Sequence, residues 1–233
     1  MASTVKATGV LPISGEATPR DVSASEQGAR LFYDADYARA LEQYGRLLTS
    51  RNTDPVVLYD YGTCLLHLSR YPEAIKTFSN AISINAKLPW PYFNRGVANQ
   101  LNGNLTQAVT DYTAALKISP KNARGYNNLA IAMRDLGNLD QAQKYVATAI
   151  SLDPHYAPAF FNSAKIQGAS GDPISAQLEV AKGTMLALPV SDGSGLPGDV
   201  VFGGSAVGVV RPPVAVASPS VGPNPIFPKL FWQ

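Results

Sequence analysis

The chain has 233 residues, 45% of them hydrophobic and only 15% charged, with 19 Lys and Arg against 17 Asp and Glu. The basic residues form no run or stripe, which argues against nucleic acid or an anionic membrane surface as a partner. Cys64 is the only cysteine, which excludes an intramolecular disulfide and a cysteine-built metal site; no stretch approaches the roughly 18 apolar residues of a membrane-spanning helix.

Residues 1–20 read as a flexible leader. Their Ala-Ser-Thr opening resembles a plastid transit peptide, but Glu16 and Asp21 come early and basic residues are few, so organelle import is the minor reading. From residue 21 onward the chain repeats itself every 34 residues. Steps of that length from Gly28 meet Gly62, Gly96, Ala130 and Ala164, and steps from Ala40 meet Ala74, Ala108, Ala142 and Ala176. From Tyr44 the series runs Phe78, Tyr112, Tyr145 and Val180, with Tyr145 taken one place early against the strict step to Val146. Two helices cross closely only where side chains are small. The small series therefore predicts helix pairs, and the aromatic four residues beyond each Ala fills the space beside the contact. Gly103, Gly137 and Gly171 sit between the two helices of the third, fourth and fifth units and suit a positive-φ helix end. Ala35 and Ser69 match that register less well. Pro120 and Pro154 each close a helix-like apolar run.

These residues resemble the tetratricopeptide repeat family, most clearly in PWPYFNRGVANQLNGNLTQAVTDYTAALKISPKN and ARGYNNLAIAMRDLGNLDQAQKYVATAISLDPHY. The resemblance implies an all-α, right-handed superhelical solenoid of five helical hairpins over residues 21–188, divided as 21–54, 55–88, 89–122, 123–156 and 157–188. Arg30 in the first unit and Pro173 in the fifth depart from the pattern, as terminal repeats commonly do.

In that family the first helix of each hairpin lines a concave groove, at positions 2, 5, 6, 9, 12 and 13 of the unit. Position six reads Glu26, Asp60, Asn94, Asn128 and Asn162. The asparagines resemble the ladder with which peptide-gripping members hold a guest backbone, since a carboxamide both donates and accepts. The alternative is that they bridge adjacent repeats. Around them the resemblance places Tyr59, His67, Trp90, Phe93, Arg124, Asn127, Arg134, Phe161 and Lys165. Trp90, between Pro89 and Pro91, is the better candidate for exposure; Phe93 and Phe161 are as well suited to packing between repeats. The clamp by which heat-shock co-chaperones hold a terminal carboxylate requires several cations. The nearest register gives Tyr59, Thr63, Asn94, Arg124 and Asn128, too little positive charge.

No catalytic constellation is legible. His67 and His155 lie in different units at unrelated offsets, Cys64 falls at a small-residue register, and no phosphate loop, nucleophile elbow or metal-ligand spacing occurs. No cofactor or metal is expected, and the chain reads as a non-enzymatic interaction protein.

Residues 189–233 change character, with eight prolines, seven glycines and only Asp192, Asp199, Arg211 and Lys229 charged. An extended Pro/Gly/Val-rich tail is expected, ending in an apolar anchor of Ile226, Phe227, Leu230, Phe231 and Trp232. It serves either to hold a partner or to cover the last hairpin. The sequence thus predicts a scaffold, either a subunit or assembly factor of a larger complex or a receptor or co-chaperone that captures client segments. Its partners are other proteins, an extended peptide in the groove and a larger complex through the tail. It is placed in the cytoplasm or in a cytoplasmic assembly such as a cytoskeletal or ciliary complex.

Overall fold

The computed structural model of the chain describes residues 19–50 and 54–187. The expectations for the leader and for the tail, including Ile226, Phe227, Leu230, Phe231 and Trp232, lie outside the described residues. Within them run ten helices: α1 (Pro19–Tyr33), α2 (Tyr37–Ser50), α3 (Pro55–His67), α4 (Tyr71–Ile84), α5 (Pro89–Leu101), α6 (Leu105–Ile118), α7 (Ala123–Asp135), α8 (Leu139–Leu152), α9 (Ala157–Ala169) and α10 (Pro173–Ala187). The described residues hold no strand.

The helix ends follow from local chemistry. Pro55 and Pro89 occupy first-turn positions, where a missing N–H costs nothing. Asp54 accepts from the Val56 amide at 2.8 Å, and Asn122 Oδ1 accepts from the Gly125 amide at 2.8 Å, each capping a helix start. Every hairpin turns the same way. The amides of Asp36, Arg70, Asn104, Asn138 and Asp172 donate to the carbonyls of Leu31, Leu65, Asn99, Met133 and Gln167 at 2.8–3.0 Å, closing a Schellman-type stop. That stop demands positive φ one residue earlier. Gly103, Gly137 and Gly171 supply it at 81° to 84°, and Ala35 and Ser69, the weaker matches by sequence, adopt it at 59°.

Consecutive helices pack in chain order, and the first helices of successive hairpins also touch directly: α3 with α5, α5 with α7, α7 with α9. No comparable contact joins α4 to α6 or α6 to α8 among the described residues. The first helices therefore lie on the tighter, inner side of the solenoid.

Inside each hairpin a small residue of the first helix faces a large one of the second. A Cβ added to Gly28 would meet the Tyr44 ring at 3.0 Å, one at Gly62 the Phe78 ring at 2.7 Å, and one at Gly96 the Tyr112 ring at 2.7 Å. In the fourth hairpin the corresponding pair is Ala130 with Val146, both fully buried. This corrects the expectation for Tyr145: the strict step to Val146 is the one the packing obeys. Tyr145 is only half-buried and stacks on Tyr126 with centroids 6.3 Å apart. Cys64 is fully buried within the cluster of Phe32, Ala40, Tyr44 and Leu47.

Candidate protein-binding face

The inner side is built from α3, α5, α7 and α9. The sequence places Tyr59, Asn94, Asn127, Asn128, Asn162, Trp90 and Arg124 there, and the structure divides them into a buried row and an accessible one.

The carboxamides form the buried row. Asn94 and Asn128 are fully buried and Asn162 nearly so, instead of presenting an open ladder. The physical reason is a contact that crosses from hairpin to hairpin. Asn94 Nδ2 donates to Tyr59 Oη at 2.8 Å and to Thr63 Oγ1 at 3.3 Å, tying α5 to α3. Asn162 Nδ2 donates to Asn127 Oδ1 at 2.9 Å, tying α9 to α7. Both links span 35 residues, one more than the repeat, so position six of one unit bonds position five of the unit before. Tyr59 and Asn127 are buried in consequence. Asn127 Nδ2 is enclosed and has no hydrogen-bond partner among the described residues. Leaving such a donor unmet costs on the order of 1–3 kcal/mol.

The accessible row lies one turn nearer the start of each helix. Trp90 is half-buried, its ring edge-on to Tyr59 with centroids 5.8 Å apart. Arg124 is half-buried with its guanidinium 5.6 Å from the centre of the Tyr156 ring. Phe161 is half-buried and Lys165 exposed, whereas Phe93 packs fully inside. Arg134 pairs with Asp135 at 2.6 Å, which offsets its charge. His67 stacks on Tyr37 at 4.3 Å with 10° between the rings. The accessible part of this face is thus largely aromatic, with Arg124 and Lys165 as its cations and the carboxamides buried beneath it.

Two polar networks behind this face have no signal in the repeat, because each occurs once. Arg95 grips Asp111 through both carboxylate oxygens at 2.6–3.2 Å and reaches Ser79 Oγ at 2.9 Å, while Asn99 Nδ2 donates to Asp111 Oδ2 at 3.0 Å. This joins α4, α5 and α6. In the second, Tyr112 Oη donates to Gln100 Oε1 at 3.0 Å and Gln100 Nε2 donates to Asp135 Oδ2 at 3.0 Å, joining α5, α6 and α7. Burial, with the carboxylates of Asp111 and Asp135 nearby, pushes the Tyr112 hydroxyl well above its ordinary pKa. Among the described residues no three His, Cys, Asp or Glu side chains gather in a metal-binding group, and no helix is long and apolar enough to cross a membrane.

Serial helical hairpins, a common turn and first helices on the inner side define an all-α hairpin solenoid. A sequence model described as TPR repeat matches residues 65–103 and 101–137, and one described as Tetratricopeptide repeat matches residues 123–156. Residues 65–156 are thus tetratricopeptide repeats. No curated protein matches it. Similar solved structures include residues 41 to the end of MamA from Desulfovibrio magneticus RS-1, 18% identical, covering 73% of this chain and 97% of that one with a TM-score of 0.66. TTC0263, a thermophilic TPR protein of Thermus thermophilus, is 20% identical over 72% of this chain and 91% of its own, with a TM-score of 0.62. YrrB, a TPR protein with an unusual peptide-binding site, is 17% identical over 72% and 88%, with a TM-score of 0.57.

Proposed function

We propose that the protein is a non-enzymatic protein–protein interaction scaffold, a structural subunit or assembly factor of a larger complex placed in the cytoplasm. The inner face receives an extended segment of one partner, and the apolar terminus (Ile226, Phe227, Leu230, Phe231 and Trp232) anchors the chain in the assembly. The observation that carries this reading is the accessible row of Trp90 and Arg124, 34 residues apart on adjacent first helices. A half-buried tryptophan offers large contact area at small rotamer cost. Low surface charge suits a lasting interface better than a steered transient one.

The second reading is a receptor or co-chaperone that captures and releases client segments through the same accessible groups, Trp90 and Arg124. Both readings use the same face. The test is affinity capture from the native extract with quantitative mass spectrometry, comparing the wild type with Trp90→Ala/Arg124→Ala and with a deletion of residues 220–233. The double substitution is expected to lower partner recovery at least about tenfold while the urea midpoint changes little, a loss of about 1.4 kcal/mol of binding. Deleting 220–233 is expected to release the chain from the assembly. Unchanged recovery in both variants would contradict the proposal.

A further inference from the structure

Among the described residues the last hairpin has no following neighbour, and it exposes apolar side chains that earlier hairpins bury. Between α9 and α10 lies a cleft of about 370 Å³ lined by Phe161, Ala164, Lys165, Ala176, Gln177 and Val180. One repeat earlier, the residues matching Phe161, Lys165 and Val180 are Asn127, Ile131 and Val146, at 0%, 1% and 0% exposure. Here Val180 is 46% exposed. The cleft is therefore the repeat-to-repeat contact left open.

A second observation comes from the outer side of α10. Ile174, Leu178, Ala181 and Met185 form an exposed stripe at helical spacing, with Ile174 at 81% and Met185 at 75%. The same register reads Thr106, Thr110, Thr113 and Lys117 on α6, and Asp140, Lys144, Ala147 and Ser151 on α8, all facing solvent. Helix α10 thus carries apolar side chains on its outward stripe as well as toward the cleft, where α6 and α8 are polar outward, with the Glu179–Lys182 pair between the two.

We infer that residues 200–216 of the same chain cover this end, with Phe202 in the α9–α10 cleft and the valines that follow it along α10. Position, reach and composition select this segment over other occupants. The chain leaves α10 at Ala187, so residues 188–199 form the connection. Twelve residues span up to about 40 Å when extended, whereas the 15 residues of α10 are about 22 Å long. A tether of that length holds the segment at millimolar effective concentration, well above that of a second copy in dilute solution. Residues 200–216 carry one charge, Arg211, and the run VVFGGSAVGVV holds one large side chain for one cleft. Gly203, Gly204, Gly208, Pro212 and Pro213 oppose a sixth hairpin, so the segment packs as extended chain. This inference is independent of what the inner face binds.

The test uses the full chain with benzoylphenylalanine in place of Val180, photolysed as a mixture of light and heavy isotopic forms. Cross-links to residues 200–216 within one chain, at a yield independent of protein concentration, are expected. Light-to-heavy products would overturn the inference in favour of a second copy. So would links to residues 226–232, or a position 180 that links to nothing in its own chain. As a second reading, Phe202→Asp/Val209→Asp changes no residue of the hairpins. It is expected to speed amide exchange in α10 about tenfold while leaving α5–α8 unchanged. Unaltered α10 exchange would refute the cover.

Discussion

The sharpest consequence of the packing is that the small residue of each first helix and the large residue of the second are chosen together. Gly96→Ala places a methyl group 2.7 Å from Cε1 and 2.8 Å from Cδ1 of the Tyr112 ring, which is fully buried and held by Gln100. Overpacking of this kind costs roughly 1–3 kcal/mol. Against it stands a gain of roughly 0.5–1 kcal/mol from removing a mid-helix glycine, leaving a net loss of about 0–2.5 kcal/mol. Tyr112→Val alone leaves a cavity and loses the bond to Gln100, a cost of about 3 kcal/mol. The double variant recreates the Ala130/Val146 pair of the fourth hairpin, in which both residues are fully buried. It is expected to be more stable than the sum of the singles by at least about 1 kcal/mol. Urea unfolding followed by circular dichroism on all four proteins measures this coupling. Costs that add to within about 0.5 kcal/mol would refute the paired packing.

Ala35→Gly and Ser69→Gly are each expected to raise stability by about 0.5–1 kcal/mol in the same urea assay, because both residues sit at φ 59°. Asn94→Ala removes a buried link between α3 and α5 and is expected to cost about 1–3 kcal/mol with helical dichroism retained; an unchanged midpoint would show that the link contributes nothing. Tyr112→Phe is expected to lower stability at neutral pH by about 1 kcal/mol through the bond to Gln100. The folded-state pKa of Tyr112 is raised, so its contribution is complete below the ordinary tyrosine range near about 10 and is lost as pH climbs above it. The phenylalanine variant should therefore lose less stability than the wild type on alkaline titration.

Helix positions were legible because each hairpin repeats one solution to the same packing problem, so Gly62, Gly96, Ala74 and Ala108 announce themselves by spacing. The turn at Ala35 and Ser69 was less legible because five backbone hydrogen bonds of one pattern impose the left-handed conformation even where no glycine asks for it. Exposure was harder still to read. Spacing puts Asn94, Asn128 and Asn162 on first helices, but all three are buried, and Asn94 and Asn162 bond position five of the preceding unit, a relation that spans 35 residues. Tyr145 attracted attention as the aromatic nearest the expected step, whereas the interior selects volume against its partner and Ala130 leaves room for Val146. The grip of Arg95 on Asp111 has no repeat counterpart and so no periodic trace.

The measurement that bears most directly on the scaffold assignment is the size at which the chain runs in native extract. Size-exclusion chromatography with quantitative detection should place nearly all of it in a large particle, far above its own 24.7 kDa. A chain that elutes wholly at its monomer size, with no partner across the included range, would contradict the assignment.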